Sequence, residues 1–237
     1  MRLENQVVII TGASRGLGQA TAMLFGKEGA HIIAASRTPN EIEHTAQQIR
    51  DHGGSAIAIP TDITDPIQVL NLFERVQESY GKIDILINNA GIGLFGSVEE
   101  LTEEALEQML AVNVKGTVYC CQAAFKRMKQ AGGGQIINIL STASKVGRAN
   151  ESGYTASKWA QAGFTESLKA EAKPFGIRVT SFCPGGMNTA FWQTPDNQAH
   201  QQQAENFMNP HFIAELLLQI ATVPGAINID DIVIKRM

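Results

Sequence analysis

Seven short runs of apolar, largely β-branched residues punctuate the chain, at Val7–Thr11, Ile32–Ala35, Ala56–Pro60, Ile83–Asn88, Ile136–Leu140, Val179–Cys183 and Ile232–Ile234. Runs of this kind predict strands buried on both faces. Longer helix-like stretches separate the first six. In one of them Val69, Phe73, Val76 and Tyr80 recur at i, i+4, i+7 and i+11, the stripe of a helix packed on one side. Strand and helix in alternation predict a parallel sheet with helices over both faces. No internal repeat and no Pro/Ser-rich linker divides the chain, so residues 1–237 are expected to form one α/β domain. Met187–Pro210 departs from the pattern: it lacks β-branched runs yet holds Phe191, Trp192 and Phe207 without clear periodicity. It reads as a substrate flap, the alternative being an exposed surface loop.

Composition narrows the class. With 44% hydrophobic and 18% charged residues the chain is neither fibrous nor disordered. Nineteen Lys and Arg against 23 Asp and Glu leave a formal charge of −4, so no basic field draws it to nucleic acid or anionic lipid. The apolar run behind Met1–Gln6 is too short for a signal peptide or a membrane span, and a cytoplasmic location is expected. Three cysteines, two of them the neighbours Cys120 and Cys121, argue for packed thiols over a disulfide framework.

Candidate chemistry begins where the first strand ends. In Thr11-Gly12-Ala13-Ser14-Arg15-Gly16-Leu17-Gly18 the glycines sit at the turn from strand into helix. Glycine permits positive φ and lets a pyrophosphate approach amides at a helix amino end, so the turn predicts a dinucleotide site. The second strand ends Ala35-Ser36-Arg37-Thr38, without the acidic residue that commonly bonds an NAD ribose. Arg37, and Arg15 from the other side, could instead contact a 2′-phosphate, which favours NADP(H). Tyr154 and Lys158 are four apart and would share one helix face. Positive charge beside a phenol, here from Lys158, would favour the phenolate and fit Tyr154 for proton transfer. The pair alone is also what a solvated helix surface shows.

Read together, Thr11 to Gly18, Asn88-Asn89-Ala90-Gly91 and Tyr154 to Lys158 resemble the ordered motifs of the short-chain dehydrogenase/reductase family, over essentially the whole chain. The resemblance implies a Rossmann-type, doubly wound sheet of strand order 3-2-1-4-5-6-7. It implies a tetrad of Asn113, Ser141, Tyr154 and Lys158, with Ser141 bonding the substrate carbonyl and Tyr154 as general acid/base. Lys158 would also bond the nicotinamide ribose, and Asn113 would hold a proton-relaying water. The cofactor contacts it implies are Gly12, Ser14, Arg15, Gly16, Leu17 and Gly18 in the turn, Ser36 and Arg37, Asp62 and Ile63 at the adenine, and Asn89, Ala90 and Gly91 beside the adenosine. Pro184, Gly185, Met187 and Thr189 would hold the nicotinamide carboxamide. No metal is implied. Ser144, Ser152 and Ser157 are expected to cap or turn the chain instead.

The implied activity is that of an NADPH-dependent carbonyl reductase or alcohol dehydrogenase (EC 1.1.1.-) acting on a small molecule. A 3-oxoacyl-[acyl-carrier-protein] reductase is the alternative within enzymes, with Lys126, Arg127 and Lys129 as a carrier contact. Against it, the chain lacks an Asp-Gly-Gly ending, and Leu140 stands where many relatives have a second serine. A non-catalytic NADP(H)-sensing protein is the alternative outside enzymes. Long helices at Thr102–Lys129 and around Tyr154 are expected to build a homodimer or homotetramer, with Val118, Cys121, Phe125, Phe164 and Leu168 as candidate interface residues.

Overall fold

The computed structural model describes residues 1–192, 204 and 206–236. Its strands are β1 (Val7–Thr11), β2 (His31–Ser36), β3 (Ser55–Pro60), β4 (Ile85–Asn88), β5 (Gly134–Ile139), β6 (Ile177–Pro184) and β7 (Asp231–Ile234). They form one sheet in the order β3-β2-β1-β4-β5-β6-β7. All six pairings are parallel, with Ile9 between Ile33 and Leu86 at its centre. This is the Rossmann-type order, and each expected strand is found within two residues of its expected limits. The direction of winding reverses between β1 and β4, which opens a crevice beyond Thr11 and Asn88, where ligands bind in such sheets.

Helices α1 (Gly16–Lys27), α2 (Pro39–Asp51) and α7 (Pro210–Ala221) cover one face, through Leu17, Phe25, Ile42, Ile49, Ile213 and Leu217. Helices α3 (Pro66–Tyr80), α5 (Thr117–Ala131) and α6 (Ser152–Ala172) cover the other, through Val69, Phe73, Cys120, Met128 and Leu168. Local chemistry sets their ends. Asp65 Oδ1 accepts from the Ile67 amide at 2.8 Å and Pro66 opens α3, which stops at Gly81 with φ 70°. Asn209 and Pro210 start α7 in the same way, with Asn209 Oδ1 on the His211 amide at 2.9 Å. The expected stripe on α3 holds, with Val69, Phe73 and Val76 buried and Tyr80 against the His31 ring.

The long helix expected over Thr102–Lys129 is found without a break, but it is not regular throughout. It comprises α4 (Glu103–Met109), a π-helical turn over Leu110–Gly116, and α5. The wider turn sets Asn113 inward, fully buried, where its amide bonds both backbone groups of Ile92 at 2.9 Å. Those two bonds compensate for the lost helical register, as at π-bulges elsewhere. Of the expected interface residues, Cys121 and Leu168 are buried in this chain's own core, and Phe125 and Phe164 pack partly against it. The sequence pattern could not separate inner from outer apolar faces there. Among the described residues no helix is long and apolar enough to cross a membrane.

Candidate active site

One cleft of about 380 Å³ runs along the carboxyl ends of the strands. At one end lies the glycine turn. Gly12 and Gly16 take φ 65° and 59°, a conformation that a side chain would strain, and the turn delivers the chain into α1, whose first turn has no side-chain cap and no acid. Its amides and the helix dipole therefore face the cleft ready for an anion. Gly12, Ser14, Arg15, Gly16 and Leu17 all line it.

Gly18 does not line the cleft. A Cβ there would lie 2.3 Å from the Gly12 carbonyl oxygen and 2.5 Å from Asn89 Nδ2, so this glycine serves close packing behind the turn. Asn89 Nδ2 in turn donates to the carbonyls of Thr11 and Gly12 at 3.0 and 3.1 Å. The Thr11 hydroxyl accepts from the amides of Asn89 and Ala90, both at 3.1 Å. The β4 loop thus shapes the glycine turn as well as walling the cleft with Asn89, Ala90 and Gly91.

Ser36, Arg37, Asp62 and Ile63 line the same end. The buried Ser36 Oγ has no hydrogen-bond partner among the described residues, an orphaned polar group beside the site. Together with two arginines and the uncapped helix end, it suits a phosphate-bearing dinucleotide. Asp62 Oδ1 also ties its own loop, accepting from the amide and hydroxyl of Thr64 at 2.9 and 2.8 Å. Glu41, from the first turn of α2, brings a carboxylate to this rim that the strand end alone did not reveal.

At the other end Ser141, Tyr154 and Lys158 line the wall beyond β5. Ser141 Oγ accepts from the Ala143 amide at 3.1 Å and hydrogen-bonds the Tyr154 phenol. Burial pushes the phenol up to about 12, which the Ser141 bond partly offsets. Lys158 is 4% exposed, and burial brings its ammonium down to about 7, with Cys183 acting the other way. Its Nζ stands 5.9 Å from the Tyr154 ring centroid and donates to Ile139 O at 3.2 Å and Gln161 Oε1 at 2.8 Å. The spacing predicts a phenol drawn down by Lys158; in the structure the phenol rises, raised by burial and by Glu151 and lowered by Ser141 and Arg148.

Asn113 stands behind the wall, its Nδ2 also donating to Ser157 Oγ at 2.9 Å. Ser157, expected only to cap or turn, does bond its own helix at the Tyr154 carbonyl, at 2.7 Å, yet it also joins Asn113 to α6. Ser144 keeps a turn role, donating to the Ser141 carbonyl at 2.6 Å.

Pro184, Gly185, Met187 and Thr189 close the cleft from β6, and Thr189 lies against Gly16. A parallel bridge joins Met187 to Met208, so the ends of the expected flap are fastened to each other. Positions 193–203 and 205 of that flap lie outside the described residues. Trp192 Nε1 donates to Met187 O at 2.9 Å, and Phe95 stacks on Trp192 at 5.5 Å while meeting Tyr154 edge-on at 5.2 Å. Phe95 had no signature in sequence. Arg148 and Glu151 also line the site, paired at 3.5 Å, and Arg148 donates to Thr142 Oγ1 at 2.9 Å. Their placement six and three residues before Tyr154 was the available clue.

The family model described as short chain dehydrogenase matches residues 6–200. An uncharacterized oxidoreductase of Staphylococcus aureus (strain N315) is 31% identical over 98% of each chain. The sepiapterin reductase of Chlorobaculum tepidum is 31% identical over 97% of this chain and 95% of its own. Among solved structures, a metagenomic short-chain oxidoreductase in complex with NADP aligns with TM-score 0.86 and 28% identity over 99% of this chain and 98% of that one. A short-chain type dehydrogenase/reductase from Mycobacterium marinum aligns with TM-score 0.91 and 29% identity over 98% and 94%. Sequence, fold and cleft agree: the chain belongs to the short-chain dehydrogenase family and is an oxidoreductase of it.

Proposed function

We propose that this chain reduces a ketone or aldehyde to an alcohol, or runs the reverse reaction, with NADP(H) as cofactor and Tyr154 as general acid/base. The observation that carries the reading is the meeting of Ser141, Tyr154 and Lys158 on one wall of a cleft whose far end is the glycine turn. The NADP-bound neighbour supports the choice of cofactor. When bound, the dinucleotide supplies or accepts the hydride. Its phosphates are held by the turn amides and its 2′-phosphate by Ser36, Arg37 and Arg15. Asp62, Ile63, Asn89, Ala90 and Gly91 flank the adenosine, and Pro184, Gly185, Met187 and Thr189 flank the nicotinamide.

The residues divide the proton work. Tyr154, kept protonated by burial, donates its proton to the carbonyl oxygen, which Ser141 also hydrogen-bonds. Lys158, with its ammonium near 7, exchanges protons at neutral pH and replenishes the phenol. Asn113 fixes the floor between Ile92 and Ser157. Phe95, Phe191 and Trp192 give the substrate end an aromatic wall, which suits a carbonyl on an apolar, flat body.

The carrier-protein alternative keeps exposed cations at Lys126 and Lys129, with Lys129 over Phe175 at 4.1 Å and Arg127 half-buried over Phe73 at 5.7 Å. The chain, however, lacks the Asp-Gly-Gly ending of such reductases and has Leu140 in place of the second serine. We therefore keep a free small molecule as substrate. A non-catalytic NADP(H) sensor is disfavoured by the complete set of proton-transfer groups. The working form proposed is one dinucleotide-binding unit over residues 1–237, cytoplasmic, with the 187–210 flap at its mouth. Its assembly is a homodimer or homotetramer built on α5 and α6, where Trp159 is 53% exposed. Tyr154→Phe tests the reading in a panel of carbonyl compounds followed by NADPH absorbance. Turnover falls by at least ~10²-fold with NADPH affinity kept; near-parental turnover on every active ketone overturns the assignment.

A further inference from the structure

Gln161 is fully buried in α6, three residues past Lys158 and on the same helix face. Its amide bridges two elements. Oε1 accepts from Lys158 Nζ at 2.8 Å, and Nε2 donates to Thr117 Oγ1 at 3.0 Å. The Thr117 hydroxyl hydrogen goes to the Asn113 carbonyl at 2.9 Å, so toward Gln161 its oxygen only accepts. This fixes the sense of the amide. Turned over, it would present its NH2 to an ammonium and its oxygen to a hydroxyl with no hydrogen left to give.

The helix is held at the same residue. Thr165 Oγ1 donates to the Gln161 carbonyl at 2.8 Å and accepts from Asn138 Nδ2 at 2.9 Å, and Asn88 Nδ2 donates to Asn138 Oδ1 at 2.9 Å. The acceptor facing Lys158 is therefore anchored to β4, β5, α5 and the π-helical turn together. The titratable groups around Lys158 are Tyr154 on its own helix and Cys183 on β6; the facing turn and α5 bring the neutral Asn113 and Thr117, and α5 also brings the Cys121 thiol, held neutral by burial, against Asn88 and Asn138.

We propose that Gln161 is a positioning residue for Lys158, its oriented amide oxygen holding the ammonium beside the Tyr154 ring and coupling it to the turn that carries Asn113. The proposal rests on the reading of Lys158 as part of the proton path. Ile139 O is the other acceptor for Nζ, so losing Gln161 Oε1 removes one of two hydrogen bonds that favour the charged form. Gln161→Leu keeps the bulk and loses the acceptor. Gln161→Glu keeps an acceptor and adds a charge that favours the ammonium.

The test is NMR of the full chain labelled at lysine Cε, following through a pH titration the resonance that is missing in Lys158→Met. The midpoint is expected to fall by about half a pH unit or more in Gln161→Leu and to rise by about as much in Gln161→Glu. Midpoints within about 0.2 units of the parent in the variants that unfold cooperatively overturn the proposal; if only one variant folds, it decides. A purely structural role for Gln161 would lower stability without moving the midpoint in opposite directions. Turnover of Lys158→Met at the parental rate would refute the proton-path reading by itself, leaving the Gln161 contact to be judged by the midpoints.

Discussion

Replacing Lys158 with Met should change the pH dependence of stability between about pH 7 and 10.5 while abolishing turnover, the two acceptors left without a donor, Ile139 O and Gln161 Oε1, adding a cost that does not vary with pH. The amine is buried, its hydrogen-bond acceptors are the uncharged Ile139 and Gln161, and its ammonium is lowered from 10.5 to about 7. A base depressed on folding binds fewer protons in the native state between those two values, so its contribution to stability rises with pH across that window and is lost as pH falls through it. At 1.36 kcal/mol per unit, the ammonium costs the native state on the order of 4–5 kcal/mol at about pH 6.5 and on the order of 1–2 kcal/mol at about pH 9.5. Methionine carries no such cost. The stability difference, variant minus parent, should therefore be about 3 kcal/mol more favourable to the variant at the lower pH. The buried thiols of Cys120, Cys121 and Cys183 are raised by burial and pull stability the other way once the unfolded thiols ionise; Cys120 and Cys121 cancel between the two proteins, while Cys183, which interacts with Lys158, is replaced by Ser in both for the comparison. Urea unfolding at the two pH values, with equal m-values for parent and variant, measures the quantity directly. A pH-dependent difference below about 1 kcal/mol would refute the argument that desolvation governs this amine.

Arg37→Asp should lower NADPH affinity by on the order of 1–3 kcal/mol and shift kcat/KM toward NADH; equal use of both cofactors by the parent would defeat the reasoning. Gly18→Ala forces a Cβ to within 2.3 Å of a backbone oxygen, so the melting temperature should drop, with a loss of about 1–3 kcal/mol, and dinucleotide affinity should weaken as the turn shifts. Unchanged thermal unfolding and dinucleotide titration would show that the turn yields freely. Trp192→Ala removes the ring stacked on Phe95 and should raise KM for carbonyl substrates while sparing NADPH affinity, as steady-state kinetics and cofactor fluorescence titration would reveal.

What sequence alone determined was whatever depends on neighbours along the chain. The apolar runs, the glycine turn and the pair Tyr154 and Lys158 are local patterns, and strand period, positive φ and the i, i+4 relation translate them into structure without knowledge of the rest. The strand order and the tetrad became legible only because several such patterns resembled one family in sequence order. Tertiary structure decided what depends on segments far apart. Asn113 leaves the expected helix register because Ile92, 21 residues earlier, offers both backbone groups to its amide. Gly18 faces Gly12 and Asn89 instead of the cleft, and Phe95 reaches Tyr154 across the site. The orientation of Gln161 is set by Thr117, 44 residues away. The protonation of Tyr154 and Lys158 was likewise a tertiary outcome, since burial, a property of the packed whole, is the largest influence on each, and their i, i+4 spacing does not reveal it.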